Sequence, residues 1–173
     1  LLLEKLLTQS VDESRELLHL AACSRGDWVN YPRRVMRWHQ ALGDFVPADE
    51  PIQLVVSGDW WGLATNGLHF VDLFEWWTES RVEKVSIPSP GLNWYESKRK
   101  GFFDATGTIK VLLDRGSSLK LTSHASGPSR IGPHLSISCR DRSMNIDEQQ
   151  GRASGSLVPH PVEGQLELQS SMT

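Results

Sequence analysis

Apolar and polar positions follow two different periods along this chain. In the first half, apolar residues recur at helical intervals over residues 11–24, 35–46 and 65–79, which predicts three helices. Beyond Ser80 apolar and polar residues alternate singly, which predicts strands with one covered face. These strands are indicated around residues 82–87, 109–113, 119–121, 135–139 and 166–168, with a further short strand at 52–56 before the third helix.

The start of the chain has the order strand, helix, strand. Leu1 to Leu3 form an apolar run that suits a buried strand, and Ser10 with Glu13 forms a capping box at the start of the first helix. Asp27 to Tyr31 is short, aromatic and β-branched, as strands are. This order is typical of a βαβ unit, so residues before the second helix resemble the tail of an α/β layer.

The later strands are separated by polar turns rather than by helices. Residues 114–117 and 140–143 are turn candidates between neighbouring strands, and this favours antiparallel hairpins. Residues 125–132 and 151–164 are rich in Gly, Ser and Pro and are predicted to be loops. The predicted fold class is therefore α+β, with an open-faced, mostly antiparallel sheet whose helices lie on one face. The other face is left for solvent, a partner or a second subunit.

Composition narrows the function classes. A net charge of -3 and a pI near 6.1 give no basic surface for a phosphate backbone, so nucleic acid is not an expected partner. No apolar run approaches the roughly 18 residues that indicate a membrane span, and LLLEKLL is too short and too charged for a signal peptide. We expect a cytoplasmic protein with no membrane partner. The two cysteines, Cys23 and Cys139, indicate neither a disulfide framework nor a metal site.

The third helix carries the clearest candidate chemistry. Thr65, His69, Asp72 and Trp76 are spaced to form one continuous stripe. A histidine titrates near neutrality, and a carboxylate one turn away can orient its imidazole for abstraction of a hydroxyl proton. The alternative interpretation is a structural histidine with satisfied hydrogen bonds, and the spacing alone does not exclude it.

Two further segments have a functional and a structural interpretation. Lys5 follows the first strand and is either a solvated cation or a positive charge beside a reacting oxygen. The segment Tyr31-Pro32-Arg33-Arg34 either binds a hydroxyl-rich or anionic ligand or is a solvated turn. No GxGxxG is present, so the chain lacks the glycine-rich turn that a dinucleotide-binding half needs.

Three segments, in this order, resemble the Gfo/Idh/MocA oxidoreductase family of glucose-fructose oxidoreductase and inositol dehydrogenase. Leu3-Glu4-Lys5 with the helix after it is similar to the family's EKP segment. Val29 to Arg34 is similar to the strand and arginine that enter its second domain. Residues 66–72, NGLHFVD, are similar to its GxHxxD helix. The alternating strands beyond residue 80 fit its open-faced sheet.

The resemblance implies a division of the chain into two parts. Residues 1–33 would be the C-terminal remnant of a dinucleotide-binding Rossmann domain, its last βαβ portion. Residues 34–173 would be a substrate-binding and oligomerisation α/β domain, truncated at its C-terminus. The chain, which starts at Leu1 inside an apolar run, is interpreted as an inactive fragment of a larger parent.

The resemblance also implies the activity: hydride transfer between a sugar or polyol hydroxyl and the nicotinamide of NAD or NADP, bound in the intact parent. A homo-oligomer formed through the open sheet face is expected. No metal is implied. The residues at matching positions would be catalytic at Lys5 and His69; substrate-binding at Arg34, Thr65, Asn66 and Asp72; and cofactor-binding at Glu4, Lys5 and Asn30.

Two positions depart from the family pattern. Leu6 stands where the family usually has proline, which changes the turn after Lys5. Thr65 stands four residues before His69, where many members have an aspartate, and a threonine cannot supply the compensating charge. The proton relay must then differ from the family's, and Asp72 is either the substitute carboxylate that orients His69 or a structural residue. The alternative function is a non-catalytic carbohydrate-binding or assembly module that retains the sheet without the redox chemistry.

Overall fold

The computed structural model describes residues 2–3, 8, 10–23, 25–26, 28–127, 131–159 and 161–163. The chain divides into two compact units, Leu1–Pro32 and Arg33–Thr173. The assignment of residues 1–33 to a dinucleotide-binding domain and of 34–173 to a substrate domain stays a prediction.

The first unit contains strand β1 (Leu2–Leu3), helix α1 (Val11–Ala22) and strand β2 (Trp28–Val29). The two strands are parallel, with Leu2 opposite Trp28 and Leu3 opposite Val29. The Ser10 hydroxyl accepts a hydrogen bond from the Glu13 N–H and so caps α1. The predicted order of strand, helix and strand is confirmed.

The second helix is shorter than the range 35–46 over which its apolar pattern predicted it. A 3-10 helix (Pro32–Val35) is followed by Met36, whose backbone is extended, and α2 then runs from Arg37 to Gly43. The apolar pattern over 35–46 continues beyond the end of α2 because Val46 lies in the turn after the helix and its side chain is also buried. The turn is followed by Pro47, which cannot continue a helix.

Helix α3 (Leu63–Thr78) forms where it was predicted. Its apolar side is buried, with Phe70, Leu73 and Phe74 at most 1% exposed. These side chains pack into the main core with residues of α2 and of the sheet. Burial of this apolar face is the main source of stability for an amphipathic helix of this length.

Among the described residues, nine strands form the main sheet. Their bounds are β3 (Gln53–Asp59), β4 (Val82–Ser86), β5 (Asn93–Glu96), β6 (Phe103–Leu113), β7 (Ser118–His124), β8 (Ile131–Cys139), β9 (Arg142–Asp147), β10 (Arg152–Ser154) and β11 (Val162–Glu163). Their spatial order is β11-β10-β9-β8-β3-β7-β6-β4, with β5 beside the first part of β6.

Strand pairing confirms the α+β class with a mostly antiparallel sheet. The pairing of β3 with β7 is parallel, and the other pairs in the sheet are antiparallel. The predicted turns at 114–117 and around Arg140 connect β6 to β7 and β8 to β9. The predicted loop at 151–164 is wrong in part, because it contains β10 and β11. The strand predicted around Leu166 and Leu168 lies outside the described residues.

Within the described residues of the second unit, one face of the sheet is covered by helix and the other is open. Alternate residues such as Leu54, Leu121 and Ile137 are at most 1% exposed and belong to the core, and α3 contacts β6 and β7 on this side. Residues between them, such as Lys120 and His134, are exposed. The open face is therefore polar, and the first turn of α3 meets the sheet at β6.

Candidate active site

The turn between β3 and α3 is held by unusual backbone conformations. Trp60 has φ +49° and Gly62 has φ +87°, both in the left-handed region. A Cβ atom on Gly62 would lie 2.7 Å from the Thr65 Oγ1 and 3.1 Å from the Asp104 Oδ2. The turn therefore requires glycine both for its conformation and for the close approach of the neighbouring side chains.

Two indole groups fix the same turn to the sheet. The Trp60 Nε1–H donates to the Gly127 carbonyl at 2.8 Å, and the Trp61 Nε1–H donates to the Thr122 carbonyl at 2.8 Å. The Trp60 ring also meets the Tyr95 ring edge-on, with centroids 4.9 Å apart. These contacts determine where α3 begins and thus where its first two turns present their side chains.

Asp104 on β6 supplies a carboxylate to the N-terminus of α3. It is 3% exposed, and its Oδ1 accepts the Ala64 N–H at 2.8 Å. Its Oδ2 accepts the Thr65 hydroxyl at 2.7 Å. The N-cap residue, Gly62, has no side chain to cap the helix, so a carboxylate from the sheet takes this role.

His69 lies one turn after Thr65 on α3 and is 7% exposed. The i, i+4 spacing of these two residues places them on the same side of the helix. An imidazole can exchange a proton with a hydroxyl group that reaches it. His69 is therefore the structure's candidate general acid or base.

Asp72, the next predicted site residue on α3, is bonded to Arg34. The Arg34 Nε donates to the Asp72 Oδ2 at 2.7 Å, and its Nη2 lies 2.6 Å from the Oδ1. The Asp72 side chain is 12% exposed and that of Arg34 is 41% exposed. Both carboxylate oxygens thus meet the guanidinium, and the structure brings two predicted substrate-binding residues together as an ion pair.

The remaining predicted residues are placed as follows. The Asn66 Nδ2 donates to the Trp61 carbonyl at 2.8 Å, so this side chain supports the turn before α3. Asn30 follows β2 in the first unit and is exposed. Glu4 and Lys5, the predicted cofactor-binding pair that includes one catalytic residue, lie outside the described residues.

A buried ionic network was not predicted from the sequence. Glu148 accepts two hydrogen bonds of 2.7 Å from Arg33, and the His39 Nε2 lies 3.0 Å from its Oε1. The Arg33 guanidinium also lies 4.2 Å from the centre of the Phe70 ring, next to His69 in sequence. Burial would raise the pKa of Glu148, but the hydrogen bonds from Arg33 and His39 outweigh it and lower that pKa to about 2.

Sequence reasoning also missed Asp104. It stands near the start of β6 as an isolated acid, and nothing in the neighbouring sequence indicates that it bonds to a helix residue 39 positions away. Asp104 is 3% exposed, and this burial follows from the packing of the strand against α3, which the sequence does not show.

Within the described residues, no group of three or more His, Cys, Asp and Glu side chains is placed to hold a metal ion. Cys23 is exposed, Cys139 is buried and neither forms a disulfide. Across the same part of the chain, no helix has the length and apolar character needed to cross a membrane.

Comparison with known proteins gives similarity at the level of structure. No protein-family model matches the sequence, and no curated protein matches it. The fold is similar to that of UDP-N-acetylglucosamine 3-dehydrogenase GnnA from Acidithiobacillus ferrooxidans, with 16% identity and a TM-score of 0.65 over 94% of this chain and 55% of that one.

Two further solved structures are similar. Myo-inositol dehydrogenase from Lactobacillus casei, solved with NAD(H) and myo-inositol, has 15% identity and a TM-score of 0.59 over 84% of this chain and 47% of that one. A super-repressor mutant of Gal80p from Saccharomyces cerevisiae has 14% identity and a TM-score of 0.58 over 88% of this chain and 49% of that one. The chain spans about half the length of these structures. It therefore has the fold seen in Gfo/Idh/MocA-type dehydrogenases, with the α+β architecture of their C-terminal domain.

Proposed function

We propose that this chain is the substrate-facing part of a cytoplasmic, NAD(P)-dependent oxidoreductase that transfers a hydride between a sugar or polyol hydroxyl and nicotinamide. The observation that carries the proposal is the buried His69 on α3, one turn after a threonine that is hydrogen-bonded to a buried carboxylate. Buried titratable groups held by fixed partners are typical of catalytic sites. The solved structures with this fold support the reaction class.

In this proposal His69 removes the proton of the substrate hydroxyl in oxidation and returns it in reduction. Thr65 and Asn66 lie on the first turn of α3 and would border the sugar hydroxyls on one side. The half-exposed Arg34, oriented by Asp72, offers N–H groups on its outer side for a further hydroxyl. A polyhydroxylated substrate suits this set because a sugar hydroxyl can both donate a hydrogen bond to such side chains and accept one from them.

The first unit fits a dinucleotide as far as its described residues go. Since β1 and β2 are parallel, their carboxyl ends lie at one edge, and ligands of α/β layers bind at such edges. Asn30 follows β2 there, and Glu4 and Lys5 follow β1 in sequence. Nicotinamide, when bound, supplies the hydride acceptor or donor. Asn30 and Glu4 would hold the dinucleotide, and Lys5 would provide positive charge near the reacting oxygen.

The proposal includes assembly through the open sheet face. Side chains from β3, β8, β9 and β10 border a shallow depression of about 500 Å³ on this face, among them Ser57, His134, Ser136 and Asn145. A polar sheet face that no helix covers can pack on the same face of a second copy by hydrogen bonding and bound water. The oligomer would be symmetric.

The test is the appearance of reduced nicotinamide in the full-length protein with a panel of polyols and sugars and either NAD⁺ or NADP⁺. We expect turnover with at least one polyhydroxylated substrate, and a loss of about 100-fold or more in kcat for His69→Ala and for Lys5→Ala. Arg115→Ala, an exposed turn residue, is the control. Full activity in His69→Ala would contradict the proposal.

A second candidate function is a non-catalytic carbohydrate-binding or assembly module. It is favoured by one observation: Thr65 offers no charge beside His69. The similar super-repressor mutant of Gal80p indicates that this fold is not restricted to structures named as dehydrogenases. Saturable binding of a sugar by calorimetry, without turnover with either dinucleotide, is the result expected of such a module.

A further inference from the structure

Asp104 places a carboxylate in a site where its bonding partners are neutral. Among the described residues its donors are the Ala64 N–H, the Thr65 hydroxyl and its own neighbour Ala105 N–H at 2.7 Å. It is 3% exposed. Burying a carboxylate without a cation is unfavourable, and the dipole of α3 offsets part of that penalty.

Capping alone does not require both oxygens. The backbone N–H groups of Ala64 and Ala105 are both bound by Oδ1, so a neutral Asn could cap the helix with one oxygen. Oδ2 is directed instead to the side chain of Thr65, one turn before His69. The second oxygen therefore acts on the side of the helix that carries the candidate base.

The direction of the Thr65 hydrogen bond has a chemical consequence. An ionised carboxylate can only accept, so the Thr65 hydroxyl must donate its proton toward Asp104. A hydroxyl oxygen that donates its proton to a carboxylate can still accept from a donor, and the carboxylate polarises it, which makes it a better acceptor. An imidazole N–H or a substrate hydroxyl one helical turn away is such a donor.

We propose that Asp104 is a positioning residue for His69 that acts through the Thr65 hydroxyl, so that the sheet supplies the negative charge that stabilises the protonated imidazole. This rests on the proposed function. In oxidation the proton of the substrate hydroxyl would stay on the imidazole of His69, and bound NAD(P)⁺ would supply the acceptor for the hydride that leaves the substrate carbon. Thr65 holds the imidazolium by accepting a hydrogen bond.

Of the other charged groups on and around α3, the Glu75 carboxylate accepts the Val82 backbone N–H, and two further carboxylates form ion pairs. Asp72 is bonded to Arg34, and Glu148 is bonded to Arg33 and His39. On β6 and β7, the strands that contact α3, the described lysines and His124 are exposed and Asp104 is the buried charge. Asp104 is therefore the buried carboxylate on these strands, and it is bonded to the residue one helical turn before His69.

The test compares four variants of the full-length protein with the exposed control Asp114→Asn. Asp104→Asn keeps the cap and removes the charge, and Thr65→Val removes the hydroxyl at nearly constant shape. Each should lower kcat/KM by about 10- to 100-fold and move the acidic limb of its pH profile toward lower pH. The double variant should lose no more than either single one, and Thr65→Ser should restore most of the activity.

Additive losses that follow thermal stability, with an unmoved pH profile, would overturn the relay and leave Asp104 as a cap. Thr65→Val and Thr65→Ser decide the question if Asp104→Asn does not fold, because both leave the carboxylate in place. Absence of turnover in the unmodified protein would refute the proposed function instead. The NMR titration of the His69 imidazole then tests the relay: its midpoint moves to lower pH in Asp104→Asn and Thr65→Val if the relay exists, and does not move if it is absent.

Discussion

Glu148 and Asp104 are both buried carboxylates, and their partners differ in kind. Glu148 meets a guanidinium and an imidazole, whereas Asp104 meets neutral N–H and O–H donors. A guanidinium binds both oxygens of a carboxylate and neutralises it, so Glu148 serves to join Arg33 to the turn after β9. Asp104 presents its carboxylate to the Ala64 N–H and the Thr65 hydroxyl at the start of α3.

The ionic network of Glu148 predicts acid sensitivity. Its pKa is lowered to about 2 from a reference value of 4.5, so the native state favours the ionised form. This stabilisation is fully present above about pH 4.5 and is lost as the pH falls toward 2. Urea unfolding followed across that range should show a steeper loss of stability for the unmodified chain than for Glu148→Gln.

At neutral pH the same substitution should lower the free energy of unfolding by roughly 3 kcal/mol, because it leaves the charge of Arg33 uncompensated. Gln150→Glu, an exposed change close by, is the matched control. Equal acid sensitivity in Glu148→Gln and the unmodified chain would contradict this account of the network.

At the scale of single residues, the sequence indicates which residue types could form a site, but it does not indicate which distant residues they contact. The stripe that contains His69 could be predicted, since helical spacing is local. The bonds of Arg33 to Glu148 join residues 115 positions apart, and no local pattern indicates such a pair. For the same reason Asp104 could not be connected to Thr65 before the strand was packed against the helix.

At the scale of the element, the start of α3 depends on Gly62. Gly62→Ala should lower the free energy of unfolding by about 3 kcal/mol, since it adds left-handed strain and a clash with Thr65 and Asn66. Gly101→Ala is the control: its φ is +81° and a Cβ there meets nothing within 4 Å, so it should cost about 1 kcal/mol. Urea unfolding measures both losses. Equal losses of unfolding free energy in Gly62→Ala and Gly101→Ala would show that the close contacts at Gly62 do not affect stability.

Long periodic elements could be predicted and short ones could not. Helix α3 and strands β6 and β7 have enough turns or alternations for a clear pattern. Strand β5 is mostly exposed and so shows no alternation in burial. Strand β10 has three residues, and its Gly- and Ser-rich surroundings indicate a loop. The second helix was predicted too long because residues in a turn also contribute buried side chains to the core.

For the whole molecule, the polar open face leads to a prediction about assembly. If the face packs on a second copy, Ser136→Arg at its centre should raise the dissociation constant of the oligomer at least about tenfold. Lys98→Glu, an exposed charge change outside the sheet, should leave it unchanged. Sedimentation velocity over a concentration series measures both, and a monomer at all concentrations would contradict the proposed assembly.

The fold class could be predicted from alternation because one covered face leaves a period of two in every long strand. The parallel pairing of β3 with β7 could not, since it depends on which distant strands become neighbours. The reaction is a property of the whole protein, and the chain spans about half the length of the solved structures it matches. The site must therefore be tested in the full-length protein.

The pH dependence of kcat/KM tests the central claim most directly, measured for the unmodified protein, His69→Gln and the exposed-residue control His19→Gln. We predict an acidic limb in the unmodified protein and the control, and in His69→Gln a loss of about 100-fold or more together with the disappearance of that limb. If His69→Gln keeps both the rate and the limb, His69 is not the general base and the account of this site is wrong.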